Sequence, residues 1–492
     1  MKVFLKVMAA LFVLSSVWAT FAVAQIPQGT FKHIIIVVQE NRTPDNLFGA
    51  APGPLRNCGQ ENQPFEPGVD IDNGGLGIPY KQAQQLICNI PLHLTGLYNP
   101  CPGPYCTVGI IVDPDHSHQG KPPSGGWVGD YDGGNMDGFC HEYDNSTWNG
   151  VCPSYSYVPQ SDVQPYYDIA NSYGFANYMF QTNEGPSLPA HQFLFAGTSA
   201  PVPYQDSSGE WTWFDADLVF QQGGNDTCTS SVIAPLIDPT GFEPTSSYCT
   251  QNPNDPHCTK IPCYERAPSP YNWGSLADLL GANNVSWKYY SPSKNPDGSI
   301  NDGLWVAPAS INHFCDSNGS ECVGLISGTY AGNMRWETKQ NPYPVVDDIN
   351  SCALAAVNWA IPDARWSDHA GENNGSGPSY VANIVNAIGK STCKDGEVPY
   401  WNDTAIFIVW DDWGGWYDHI NPNPYPGVRD QENCDQWGCA YTYGFRVPLL
   451  VVSAYTQAGY VSGACGATGQ PSCPNNVAPF VHDFGSILAF IE

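Results

Sequence analysis

Positive charge is scarce in this chain: 18 lysines and arginines stand against 47 acids, for a formal net charge of −29. Such a surface repels nucleic-acid phosphates and anionic membranes, which excludes nucleic acid as a partner. An anionic substrate would need local positive help from a metal or from protonated histidines. After the first two dozen residues no segment offers the roughly 18 apolar residues needed to span a bilayer, so no stable membrane anchor is expected. The 18 cysteines form no Cys-x-x-Cys pair and few histidines lie near them at ligand spacing, which argues against zinc. Internal repeats are also missing.

What is present begins with Lys2 and Lys6, an apolar stretch to Phe21, and Ala22-Val23-Ala24 before Gln25. This pattern predicts a secretory signal peptide over 1–24 and a secreted or periplasmic mature protein. In an exported chain, an even number of cysteines reads as a disulfide framework. Close neighbours suggest local bridges: Cys101/Cys106, Cys140/Cys152, Cys258/Cys263, Cys315/Cys322, Cys434/Cys439 and Cys465/Cys473. Cys58/Cys88, Cys228/Cys249 and Cys352/Cys393 would close longer loops.

Two short apolar runs end in acids. His33 to Gln39 runs into Glu40-Asn41, and Thr404 to Trp410 runs into Asp411-Asp412-Trp413-Gly414-Gly415. Short β-branched and aromatic runs without alternation predict strands buried on both faces, as in parallel sheets covered by helices. Open α/β sheets bind ligands at the carboxyl ends of such strands. If the two strands are neighbours, Glu40, Asn41, Asp411 and Asp412 converge as oxygen ligands for a cation.

Further along, Val381, Ile384, Val385 and Ile388 recur at helical spacing, with Pro378 near the start, predicting a helix over 380–388. Val447 to Ser453 reads as a strand and Asp483 to Phe490 as the start of a helix. The fold class is α/β, built as one catalytic domain over 25–492 with disulfide-pinned insertions, including a Cys-rich excursion at about 211–270. Pro189 and Gly197 bracket another helix and put Ser187 at its N-terminus, where unpaired amides favour an anion. A serine there is also an ordinary N-cap residue.

Five segments occur in a family order: Glu40 to Gly49, Gly134 to Phe139, Gly185-Pro186-Ser187-Leu188-Pro189, Asp411 to His419, and Gly444 to Pro448. They resemble the secreted bacterial phosphoesterases that include phospholipases C and an acid phosphatase branch, related in fold to alkaline phosphatase. The resemblance spans about 31–492. It implies an alkaline-phosphatase-like three-layer sandwich with a largely parallel central sheet. It also implies a metal-dependent phosphoesterase acting on small phosphate esters or phospholipid head groups. Glu40, Asn41, Asp411, Asp412 and Ser187 would hold one divalent ion, with Ser187 the nucleophile. The all-oxygen shell leaves calcium, magnesium, manganese and iron open.

By the same resemblance, His116 and His369 would contact phosphate and protonate the leaving group, and His313 is a weaker match for substrate binding. The chain departs from the family where Ala190-His191 replaces Asn-Arg and where Pro44 replaces Phe, which places His191 and Pro44 beside the substrate pocket. The alternative is a non-catalytic secreted carbohydrate-binding protein on the same fold, its many tryptophans and tyrosines stacking on sugars. A sulfatase would need a Cys-x-Pro-x-Arg segment, which Ser187-Leu188-Pro189-Ala190-His191 replaces.

Overall fold

The computed structural model describes residues 26–48, 113–117, 125–131, 162–199, 273–293, 305–315, 322–338, 340–370, 376–418, 420–422, 443–462 and 481–492, with short pieces at 136, 138–139, 154, 158, 202–205, 211–214, 232–233, 251 and 260–261. The signal-peptide segment, most of the 211–270 excursion, His419 and seven of the nine expected cysteine pairs lie outside the described residues.

An eight-stranded sheet is made of β1 His33–Gln39, β2 Gly174–Ala176, β3 Trp287–Ser291, β4 Met334–Trp336, β5 Val357–Ala360, β6 Thr404–Trp410, β7 Leu449–Val452 and β8 Tyr460–Ser462, in the order β8-β2-β7-β6-β1-β5-β3-β4. Only β7 runs against the others. The two apolar runs are central neighbours, paired in parallel from His33↔Thr404 to Gln39↔Trp410, and every residue of both is buried. Burial on both faces explains why neither run alternates polar with apolar residues.

Six longer helices stand among the described residues: α1 Gln164–Ser172, α2 Ser187–Ala196, α3 Leu276–Ala282, α4 Pro344–Asn350, α5 Gly377–Lys390 and α6 Phe484–Ile491. They form two layers. Helices α1, α4 and α5 pack on one another, as do α2, α3 and α6. Strand alternation shows that the layers cover opposite faces: Phe407 meets Phe490 of α6 at 5.0 Å between ring centroids, while Trp410 meets Tyr166 of α1 at 4.9 Å. The molecule is therefore a three-layer α/β/α sandwich.

Helix α5 begins as expected with Pro378 in its first turn and buries Val381, Ile384 and Ile388 against the sheet. Helix α2 ends at Gly197 in the left-handed region, φ 72°, which glycine enters without a Cβ penalty. Strand β7 is shorter than its apolar run. Arg446 and Val447 are engaged instead with the Met179–Phe180 segment before α2. Two expected disulfides, Cys315–Cys322 and Cys352–Cys393, are formed.

Candidate active site

Because β1 and β6 end side by side, the residues that follow them meet. Asp411 N donates to the Gln39 carbonyl at 2.9 Å, Arg42 N to the Asp412 carbonyl at 3.0 Å, and Asn41 N to Asp411 Oδ1 at 2.9 Å. Asn41 takes a left-handed conformation, φ 61°, which asparagine tolerates better than most residues. The first residue of α2 completes the cluster: Ser187 Oγ donates to Asp412 Oδ2 at 2.9 Å and lies 3.4 Å from Asn41 Oδ1. Glu40, Asn41, Ser187, Asp411 and Asp412 are all buried.

Three carboxylates so placed repel one another. Burial holds Glu40 well above the ordinary carboxylate range, and the charges of Asp411 and Asp412 push it the same way. Asp412 is raised by burial and by Asp411. Burial also acts to raise Asp411, but His191 and the hydrogen bond from Asn41 N act the other way, and Asp411 stays low. Glu40 Oε2 and Asp411 Oδ2 have no hydrogen-bond partner although both are shielded from solvent. Ligand atoms of Glu40, His191 and Asp411 lie within 4.8 Å of one another. Unpaired buried carboxylate oxygens aimed at one spot fit a divalent cation, since buried charges are otherwise paired.

The sequence reading put His191 beside a substrate pocket, but the fold turns it into the acid cluster. Its Nε2 lies 2.8 Å from Glu40 Oε1 and 3.6 Å from Asp411 Oδ2. Burial lowers its pKa to about 4, only partly opposed by Asp411, so the ring is neutral near pH 7. With the proton on Nε2 it donates to Glu40 and leaves Oε2 unpaired.

His116 and His369 stand together at the edge of this cluster. Their rings are 5.8 Å apart and nearly perpendicular, and His116 Nε2 lies 3.1 Å from Asn41 Nδ2. Burial alone would lower the His116 pKa, but Asp412, Asp113 and the Pro114 carbonyl outweigh it and raise it to about 9. His369 donates Nδ1 to the Ala370 carbonyl at 2.7 Å, which leaves Nε2 as its outward nitrogen. Both rings are only partly buried. His313 is not brought to the cluster by its described contacts: it pairs with Asp278, which closes the capping box with Ser275 at the start of α3, at 2.9 Å and packs on Phe314.

Several positioning residues escaped the sequence reading. Arg42 donates Nε and Nη2 to the Asp368 carbonyl at 3.1 and 2.6 Å, and its guanidinium lies over the Trp416 ring. Gln39 accepts from Asp368 N, while Tyr166 and Trp410 donate to the Asp368 carboxylate. These four side chains fix the segment that carries His369. In the other loop, Gln181 accepts from Trp413 N, Asp130 accepts from Trp413 Nε1, and Arg446 grips Asp418 with two hydrogen bonds at 2.9 and 3.0 Å. Trp413, Trp416 and Tyr417, in the turn that follows β6, are buried in the core. Arg42 and Arg446 were visible inside quoted motifs; their partners, hundreds of residues or a whole loop away, were not.

A profile of the Phosphoesterase family matches residues 31–492. "Phospholipase C B" of Mycobacterium tuberculosis is 22% identical over 455 residues, covering 87% of this chain and 69% of that one. "Non-hemolytic phospholipase C" of Burkholderia pseudomallei is 24% identical over 250 residues, 45% of this chain and 32% of its own length. The Pseudomonas aeruginosa protein of the same description is 26% identical over 245 residues, 45% of this chain and 30% of its own. The chain thus matches about a third of the latter two. A solved structure from Vibrio parahaemolyticus, described as a protein in the alkaline phosphatase superfamily, aligns over 63% of this chain and 57% of its own, at 9% identity and TM-score 0.29, a likeness too slight to bear on the fold.

Proposed function

Because this chain belongs to the phosphoesterase family, we propose that it hydrolyses phosphate esters with Ser187 as nucleophile and one divalent cation held by Glu40, Asn41, Asp411, Asp412 and Ser187. One observation carries the reading: Ser187 Oγ lies within 3.4 Å of Asn41 Oδ1 and 2.9 Å of Asp412 Oδ2, groups delivered by three distant parts of the chain. A cation there supplies charge neutralisation and a lowered pKa for a bound hydroxyl.

The rest follows from the chain's own groups. Ser187 directs its proton at Asp412 Oδ2, which frees Oγ to attack phosphorus. The P–O bond to the leaving alcohol breaks, and a phosphoserine forms. His116 and His369, on the open side of the acids, bind the phosphoryl oxygens and donate the proton the leaving alcohol needs. Water then cleaves the phosphoserine and restores the Ser187 hydroxyl. His191 acts through Glu40 as a positioning residue.

The relatives' descriptions favour phospholipid head-group diesters over simple monoesters as substrates. Pairing of β1 with β6 supports a single catalytic domain over 25–492. Export is supported by the leader-like start and the two disulfides, and no described helix is long and apolar enough to cross a membrane.

The test is turnover of p-nitrophenyl phosphate and p-nitrophenyl phosphorylcholine from about pH 4 to pH 8, comparing the wild-type chain with Ser187→Ala. Cleavage of the choline diester, lost by at least about 10³-fold in the variant, is expected. Preference for the monoester would reassign the substrate to the acid phosphatase class. No turnover with any added divalent metal would overturn the enzyme reading in favour of sugar binding.

A further inference from the structure

The sheet has a second cluster of ligating side chains at its other end. His33 opens β1, Asp403 immediately precedes β6, and Asp395 lies on the hairpin formed by Lys394–Asp395 and Val398–Pro399. One nitrogen or oxygen from each of the three lies within 4.8 Å of the others. Seven residues of extended strand separate His33 from Glu40, about 23 Å at roughly 3.3 Å per residue, so this place is separate from the candidate active site.

The polar groups here are left incomplete. Asp403 is 1% exposed, yet neither carboxylate oxygen has a hydrogen-bond partner. His33 Nε2 is likewise buried without an aligned partner, although Asp395 Oδ2 is only 2.7 Å away. Buried carboxylates are normally paired or bound to a cation, because an unpaired charge out of water is costly.

The histidine is also prepared. Its Nδ1 lies 2.8 Å from the Ala355 carbonyl, which can only accept, so Nδ1 carries a proton and Nε2 is the nitrogen turned toward Asp395. A histidine ligand whose other nitrogen donates to a backbone carbonyl is the usual arrangement at metal sites. Its ring is packed on Tyr400 at 4.4 Å, and the Cys352–Cys393 bridge fastens the strand that leads to Asp395. Asp395 keeps 40% of its side chain exposed, which leaves an entry path and room for water ligands.

We propose that His33, Asp395 and Asp403 bind a second divalent cation, which ties the hairpin to the amino ends of the two central strands. One imidazole nitrogen with two carboxylates suits a borderline ion such as Zn²⁺ or Mn²⁺ better than Ca²⁺. Its role is structural, since none of the three residues belongs to the proposed catalytic machinery.

The experiment is equilibrium dialysis of the whole chain against Zn²⁺, then metal quantification and a thermal scan. The wild-type chain is compared with Asp395→Asn, a change at a half-exposed side chain that leaves the core intact, and with His33→Gln. Wild type is expected to retain one more equivalent of Zn²⁺ than either variant and to gain thermal stability from it, with Ser187-dependent hydrolysis unchanged in Asp395→Asn. Equal stoichiometry in wild type and Asp395→Asn would overturn the proposal and leave His33 as an ordinary ion-pair partner. Because the count is a difference at residues remote from Ser187, it reads out whether or not the catalytic reading holds.

Discussion

Glu40 shows what single residues contribute here. A buried glutamate beside two aspartates is tolerable only if protons or a cation offset the repulsion, and its orientation depends on His191 2.8 Å away. His191→Leu should therefore weaken divalent-metal binding by roughly 10–100-fold, while His191→Gln, which can still donate, should recover part of the loss. Metal titration with circular dichroism as a folding control would check both. Asp368 offers a pH test. Burial raises its pKa to about 6, against the ordinary value of 3.8, even though Arg42, Tyr166 and Trp410 act to lower it. The folded state then holds the proton more tightly than the unfolded chain, so this contribution to stability is full below about pH 4 and is lost as pH rises through 6. Urea titrations should show the advantage of wild type over Asp368→Asn shrinking by roughly 3 kcal/mol between pH 4 and pH 7. At this scale the sequence told less. It brought Glu40, Asn41 and both aspartates together from the ends of two apolar runs and added Ser187 by family resemblance, but it set His191 toward substrate, because a side chain's neighbours across 151 residues leave no local pattern.

Elements were easier to read. Strands β1 and β6 announced themselves as unbroken apolar runs and helix α5 by its helical period, and both signals are local. Strands β2 and β8, three residues each, carry no period at all, and the reversed direction of β7 is set by its pairing with β6 and β2 rather than by its own residues. The turn after β6 was quoted as a motif, but the reason for its glycines is visible only in three dimensions. Gly414 sits at φ 62°, and a Cβ there would come within 2.5 Å of the Asn41 Cβ. Gly415, at φ 72°, similarly admits the Pro114 backbone that holds His116. Gly414→Ala should thus push Asn41 out of register with Ser187. Expected is a loss of about 1–3 kcal/mol in stability together with weakened metal binding, measured by chemical denaturation and metal retention.

For the whole molecule, the acidic balance and the covalent links act together. A chain of net charge −29 repels itself, and the 41-residue Cys352–Cys393 link limits how far the unfolded chain can expand. The double substitution Cys352→Ser/Cys393→Ser should cost about 2–4 kcal/mol, read from urea midpoints, with the deficit larger at low ionic strength. Both described bridges match pairs read from the spacing of the cysteines. The parallel pairing of β1 with β6 has one more consequence, in time rather than space. Ser187 can acquire Asp412 only after residue 412 of 492 has left the ribosome and its strand has joined one made near the beginning. Until that point in synthesis, the cluster of acids around Ser187 is incomplete.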